Sequence, residues 1–299
     1  MATRTKPPWL KVRMPGSPRY RQIKERARTL RLATVCEEAR CPNIGECWED
    51  GTATFMVMGE TCTRGCHFCA VSTAARPAPL DPMEPYNVAQ AIQEMDLDYV
   101  VITSVDRDDV EDGGAAHFAS CIEQVRAHSS KTMVEVLTGD FQGNVGHLLK
   151  VVMAEPDVFA HNVETVERLS PKVRDPRASY RQSLEVLANV KAIDPDRFTK
   201  SSLMVGIGET EAEIIQSMRD LREVDVDFLT IGQYLKPGKH ERFLDIEEWV
   251  TPEQFQAYER IGLEMGFKYV ASGPLVRSSY KAGEFFIRRY LERQRESAS

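Results

Sequence analysis

A chain of 299 residues with 42% hydrophobic and 28% charged side chains can bury a large core, which excludes a mainly disordered or collagen-like polymer. No run of about 18 apolar residues occurs, which excludes a membrane-spanning helix. The net charge of −7 is uneven: residues 1–34 carry ten Lys or Arg against one acid, Glu25, a balance of +9 that leaves −16 on the rest.

The basic, acid-poor start fits either a transit peptide or an arm that docks an acidic partner or nucleic acid. It has no apolar signal-peptide core, which points to the cytoplasm, or to an organelle interior if the start is cleaved. The −16 balance of the remainder argues against a nucleic-acid-binding role for the whole chain.

The first segment, to about Ala53, is rich in Pro, Arg and Cys and reads as an extension with one helix predicted from about Arg19 to Leu32. Strand candidates follow at Thr54–Met58, Asp98–Thr103, Thr132–Leu137, Val158–His161, Ser201–Val205 and Phe228–Ile231. Most are short and rich in Val, Ile, Phe or Met, as buried strands are. Helical spacing sits between them: Val88, Ala91, Ile92 and Met95, then Phe118, Cys121, Ile122 and Val125. Leu184, Leu187 and Ala188 mark a further helix, and Ile214, Met218 and Leu221 another. Thr210 with Glu213, Thr251 with Gln254 and Ser179 with Gln182 have capping-box spacing, and Pro252 occupies a first helical position. Strand–helix alternation repeated about six times predicts a parallel sheet with helices outside, curled by right-handed crossovers into a full or partial barrel. A doubly wound open sheet is the alternative. A barrel places its chemistry at the carboxyl ends of its strands.

Six of the seven cysteines fall within residues 36–69. With no secretory signal, such a cluster suits metal binding better than disulfides. Cys36, Cys41 and Cys47 are separated by four and five residues; Cys62, Cys66 and Cys69 by three and two. Each triad suits one soft metal centre, an iron–sulfur cluster or zinc, and Gly65 is expected to relieve the turn of the second. Three thiolates on a four-iron cubane leave one iron open for a substrate or cofactor. His67 offers a fourth zinc ligand, but it directly follows Cys66, and paired zinc knuckles are absent. Cys121 lies on an apolar helical stripe and reads as core. The six His form no paired ligand pattern.

The second triad, with Phe68 before its last Cys and a strand just upstream, resembles the cluster motif of the radical S-adenosylmethionine enzymes. The first triad and the run Arg277-Ser278-Ser279-Tyr280 narrow the resemblance to the lipoyl synthase family. So do Lys6-Pro7-Pro8-Trp9-Leu10, Thr103-Ser104-Val105-Asp106-Arg107-Asp108-Asp109, His161-Asn162-Val163-Glu164-Thr165, Gly206-Ile207-Gly208-Glu209-Thr210 and Gln233-Tyr234-Leu235-Lys236-Pro237. The resemblance covers roughly residues 6–283. It places Trp9 and Leu10 in the mature body and makes a prokaryotic cytoplasmic enzyme the simplest reading. A biotin-synthase-like sulfur inserter is the nearest rival, opposed by the first triad's spacing and by the Arg-Ser-Ser-Tyr run.

This resemblance implies an α/β fold, a partial (β/α)6 TIM-like barrel with N-terminal and C-terminal cluster-binding extensions. The divisions expected are an extension at 1–53 carrying the first triad, the barrel at 54–265, and a C-terminal extension at 266–299 supplying Ser278. The reaction implied is insertion of two sulfur atoms, at carbons C6 and C8, into an octanoyl chain amide-linked to a lysine of a lipoyl carrier domain. Those carbons are unactivated, so hydrogen must leave as an atom, which needs a cofactor radical. Two [4Fe–4S] clusters and S-adenosylmethionine are the implied cofactors. Cys62, Cys66 and Cys69 would hold the radical-generating cluster. Cys36, Cys41 and Cys47, with Ser278 as fourth ligand, would hold an auxiliary cluster that gives up its sulfide. Thr103, Ser104, Asn162, Glu164, Gly206 and Glu209, at strand ends, are candidates for S-adenosylmethionine contacts. The Asp106–Asp109 run reads as an ion-pair network or a solvated loop. Expected partners are octanoylated lipoyl carrier domains, a low-potential donor such as ferredoxin or flavodoxin, and iron–sulfur assembly proteins. Neither nucleic acid nor membrane is expected.

Overall fold

A computed structural model of the chain describes residues 5–11, 16–29, 33–34, 37, 41, 43–49 and 52–279. Cys36, Tyr280 and the tail beyond it lie outside the described residues.

The extension contributes α1 (Pro18–Thr29), β1 (Ala33–Thr34) and α2 (Ile44–Glu49). Helix α1 is described as far as Thr29; residues 30–32 of the predicted helix lie outside the described residues. Tyr20 on α1 stacks on Trp48 of α2, with ring centroids 5.0 Å apart. The extension therefore has its own small anchor before the barrel begins.

The barrel starts at β2 (Ala53–Val57). The short strands β3 (Thr61–Cys62) and β4 (Ser72–Thr73) form a separate two-stranded ribbon. Then come α3 (Glu84–Glu94), β5 (Tyr99–Ser104), α4 (Ala115–His128), β6 (Met133–Leu137), α5 (Val145–Met153), β7 (Val158–Ala160), α6 (Ser170–Val173), α7 (Tyr180–Ile193), β8 (Phe198–Val205), α8 (Glu211–Glu223), β9 (Phe228–Gln233), α9 (Pro252–Glu264) and β10 (Tyr269–Gly273). The large sheet runs β1-β2-β5-β6-β7-β8-β9-β10, and only β1 is antiparallel to its neighbour. Each parallel strand pairs with the next in chain order, so the sheet curls one way and never reverses as a doubly wound sheet must. Its ends, β1 and β10, are not joined among the described residues. The result is a partial barrel.

All six predicted strands are present, and β10 adds a seventh parallel one. Its sequence, Tyr-Val-Ala-Ser-Gly, is short and only half apolar, so nothing local marks it as a strand. It is held by its register against β9, Tyr269 opposite Phe228 through Gly273 opposite Gly232. The helical stripes pack as their spacing predicts: Phe118, Cys121, Ile122 and Val125 are all fully buried. Thr210 and Glu213 cap α8 reciprocally, and Ser179 and Thr251 cap α7 and α9.

The amino end of the barrel is plugged by Tyr99, Val101, Met133, Val158 and Phe228. Beside this plug Lys200 is buried against Glu135, with Nζ 2.8 Å from Oε1, and the Tyr99 hydroxyl donates to the same carboxylate at 2.5 Å. The carboxyl ends of the strands are left to form a cavity.

Candidate functional site

The loop after β2 carries the second triad. Met58 and Gly59 both take positive φ and turn the chain out of the sheet. The β3–β4 ribbon and the Ala74 amide on the Cys62 carbonyl then tie the ends of the loop together. Inside it, the Cys69 amide bonds the Cys66 carbonyl. Gly65 does not play the role expected of it. It stays out of the left-handed region, and its N–H donates to Asp175 Oδ2 at 2.9 Å.

The three thiols face one cavity of about 630 Å³. Backbone amides are aimed at their sulfurs. Arg64 N lies 3.4 Å and Asp106 N 3.3 Å from Cys62 Sγ, and Asp175 N lies 3.3 Å from Cys66 Sγ. Burial pushes the Cys62 thiol up to about 11 and the Cys66 thiol up to about 12, and raises Cys69 as well. These thiols are therefore protonated until a metal displaces the protons, and the amides then stabilise the resulting thiolates. His67 is exposed, and its Nδ1 donates to the Lys172 carbonyl at 2.7 Å. It does not join the thiols. Among the described residues, no three His, Cys, Asp or Glu groups are placed to hold a single metal ion.

Arg64, between the first two thiols, is a residue the sequence reading passed over. Its buried guanidinium forks onto Asp140 at 2.6 and 2.8 Å and onto Asp108 at 2.9 and 2.8 Å. Burial opposes its charge, but these hydrogen bonds outweigh it and raise its pKa above the usual. Asp106 lies 3.6 Å from Arg64 and 3.9 Å from Cys62 Sγ; burial pushes its carboxyl up to about 6, against the pull of Arg64. Arg107 pairs with Asp109 and donates to the Met58 and Ala78 carbonyls. The Asp106–Asp109 run is thus an ion-pair network that clamps the cysteine loop to the ends of β5 and β6.

Two cysteines of the first triad reach the same cavity. Cys41 and Cys47 line it, and so do Ser278 and Ser279 from the loop after β10. Cys47 is carried by α2, whose first turn closes through the Asn43 carbonyl. Arg277 is half-buried, donates to the Gln233 carbonyl at 2.9 Å and lies within Coulomb reach of Cys41. Two soft-donor sets from distant segments thus share one chamber, which suits two iron–sulfur clusters in the donor chemistry each offers.

The strand-end candidates divide. Ser104, Thr103, Asn162 and Glu164 line the cavity. The Ser104 Oγ is buried without a protein partner, as is the Oγ1 of Thr138, which also lines the cavity. Thr103 already donates to the Leu137 carbonyl at 2.8 Å. Asn162 Nδ2 donates to Glu164 Oε1 at 3.1 Å, and Glu164 sits at φ 66°. Burial raises the Glu164 carboxyl's pKa, opposed by the charge of Arg174. Gly206 and Glu209 do not line the cavity. Glu209 accepts from the amides of Gly206 and Ile207 and closes their turn. Gly206 has φ +94°, and a Cβ there would lie 2.4 Å from the Glu248 carbonyl oxygen. Both residues serve this turn.

Arg174 and His161 were also missed. Arg174 donates to Ser183 Oγ at 2.7 Å, and Ser183 lies 2.9 Å from His161 Nε2. His161 Nδ1 donates to the Thr138 carbonyl at 3.0 Å. Burial holds the His161 pKa down at about 4, aided by Arg174. His161 opens the run His161–Thr165 without a role assigned to it there, and no short motif announces Arg174; the signal is burial of polar groups beside a cavity.

Comparison with known proteins agrees with this geometry. Residues 56–221 match the Radical SAM superfamily, and residues 2–41 match the N-terminal domain of lipoyl synthase of the Radical SAM family. The chain is 57% identical to a lipoyl synthase of Myxococcus xanthus, covering 98% of this chain and 97% of that protein. It is 54% identical to the mitochondrial lipoyl synthase of Homo sapiens, over 97% and 78% of the two. Among solved structures, the hydrogenase maturase HydG of Carboxydothermus hydrogenoformans superposes with a TM-score of 0.59 at 11% identity, over 84% of this chain and 64% of that one. Methylornithine synthase gives 0.51 at 15% identity, over 81% of each. At such identities these two speak for the fold alone.

Proposed function

The chain belongs to the lipoyl synthase family of radical S-adenosylmethionine enzymes, and on that premise we propose how its residues divide the reaction. It is a sulfurtransferase that inserts two sulfur atoms, at C6 and C8, into a protein-bound octanoyl chain, with two [4Fe–4S] clusters and S-adenosylmethionine as cofactors. When bound, those cofactors supply hydrogen-atom abstraction from unactivated carbon and the sulfur itself.

Cys62, Cys66 and Cys69 hold the radical-generating cluster. Cys36, Cys41, Cys47 and Ser278 hold the auxiliary one. The observation that carries this division is the shared cavity: the second triad lines it together with Cys41, Cys47 and Ser278. The Arg64–Asp108–Asp140 network keeps the cysteine loop in place while the chamber opens to substrate. Asn162, Glu164 and Arg174 line the cavity; the first two would bind the hydroxyls of a ribose, and Arg174 a carboxylate. Ser104 and Thr138 offer unpartnered hydroxyls to a polar ligand. Met56, Val105, Leu137 and Met204 give the cavity apolar walls, which would exclude water from around an acyl chain.

The substrate is a folded carrier domain. The basic N-terminal segment is its docking arm, where attraction to an acidic partner raises the encounter rate. A low-potential donor such as ferredoxin or flavodoxin supplies electrons, and iron–sulfur assembly proteins reload the auxiliary site. Among the described residues no helix is long and apolar enough to cross a membrane. Reduced, metal-binding cysteines suit the cytoplasm.

The test is chemical. Reconstituted protein is incubated without oxygen with a reductant, S-adenosylmethionine and an octanoyl-lysine peptide. The peptide is expected to gain two sulfurs as the dithiol, and to lose two hydrogens only when that dithiol is afterwards oxidised to the cyclic disulfide; unchanged mass with intact clusters contradicts the reading.

A further inference from the structure

Asn43 stands between Cys41 and Cys47 and is buried. Its Nδ2 donates to the carbonyl of Leu275 at 2.7 Å, across 232 residues of chain. Its own carbonyl receives the amides of Glu46 and Cys47, both at 3.0 Å, and so sets the turn that presents Cys47. Leu275 lies just before Val276, Arg277 and Ser278. This loop is also fastened to the barrel: a Cβ on Gly232 would lie 2.0 Å from the Val276 carbonyl oxygen, and Arg277 bonds the Gln233 carbonyl. Those two contacts hold the loop to β9. Neither reaches the extension that carries the cysteines.

We propose that Asn43 is a positioning residue, a latch that fastens the serine-bearing loop to the cysteine-bearing extension. Ligands from opposite ends of the chain are thereby gathered at one site before metal arrives. This rests on the reading that the first triad and Ser278 hold the auxiliary cluster. The physical reason is that the buried amide of Asn43 is matched to the half-buried Leu275 carbonyl, and removing either partner leaves the other short of a hydrogen bond. Aspartate has the shape of Asn43 but no donor, so it would set one acceptor against another.

The experiment compares full-length Asn43→Asp and the milder Asn43→Ser with the parent. Hydrogen exchange is followed over residues 275–279 in the metal-free chain, and iron content and S-adenosylmethionine cleavage after reconstitution. Exchange over that loop is expected to quicken about tenfold in the Asp variant. Iron is expected to fall by about half, as when one of two equal clusters is lost. Cleavage to 5′-deoxyadenosine should stay within about twofold of the parent, because the second triad is untouched. If Asn43→Asp does not fold, Asn43→Ser carries the same comparison. Unchanged exchange in a folded variant overturns the latch. Quicker exchange with undiminished iron overturns its role in assembling the cluster site. A parent that itself binds only one cluster overturns the auxiliary-site reading instead.

Discussion

Arg64 and Asp140 form a two-bond fork, Nη1 to Oδ2 at 2.6 Å and Nη2 to Oδ1 at 2.8 Å, with both side chains almost wholly buried. The cation comes from the cysteine loop and the anion from the end of β6. Removing Arg64 as Arg64→Met leaves Asp140 as an uncompensated buried charge, at a cost of about 3–5 kcal/mol. Arg64→Lys keeps the charge and loses the planar fork. Denaturant unfolding of the metal-free protein should show Met well below Lys, and Lys below the parent. Equal midpoints for all three would mean the fork does not hold the loop.

Ser278 differs from every other expected cluster ligand in presenting oxygen, a hard donor at a site built for soft ones. Its bond to iron is expected to be the weak one. Ser278→Cys should retain S-adenosylmethionine cleavage while product formation slows by about tenfold or more. A variant that makes product as fast as the parent removes ligand lability from the mechanism.

Glu164 presents a cavity-lining carboxyl next to Asn162 and within reach of the charge of Arg174. If it accepts cofactor hydroxyls, Glu164→Ala should raise the KM for S-adenosylmethionine by about tenfold, the worth of one good hydrogen bond to a charged group. Steady-state kinetics of 5′-deoxyadenosine release would read this directly, and an unaltered KM would return Glu164 to a purely structural part.

His161 stays neutral in the folded protein because burial and Arg174 hold its pKa near 4, against the ordinary value of 6.5. The sign follows from which state binds the proton. Above about pH 6.5 neither state is protonated and the stability is intact. Between pH 6.5 and 4 only the unfolded chain takes up the proton, so stability falls, by at most about 3 kcal/mol across the window. His161→Gln should flatten that part of the unfolding-versus-pH curve relative to the parent. Parallel curves would show that His161 does not contribute.

Much of the fold was legible because its signals are local. Six strands, the buried stripe of α4 and the capping box of α8 each depend on residues a few positions apart. The seventh strand was not, since Tyr269–Gly273 has no apolar alternation and becomes a strand only by pairing with β9. Within the site, the second triad was legible for the same local reason. A strand-end position does not say whether a side chain turns toward the cavity or back onto its own loop, as Glu209 does.

Cysteine spacing and strand–helix alternation by themselves determined the two cysteine triads and a parallel sheet with helices between its strands, because a short stretch of backbone decides both. Only the tertiary structure decided that the sheet curls one way, that Arg64 meets Asp140, that Asn43 reaches Leu275, and that Cys41 and Cys47 open into one chamber with the second triad. Such meetings depend on how the strands stack and where their loops emerge, and no local pattern encodes a partner so far along the chain.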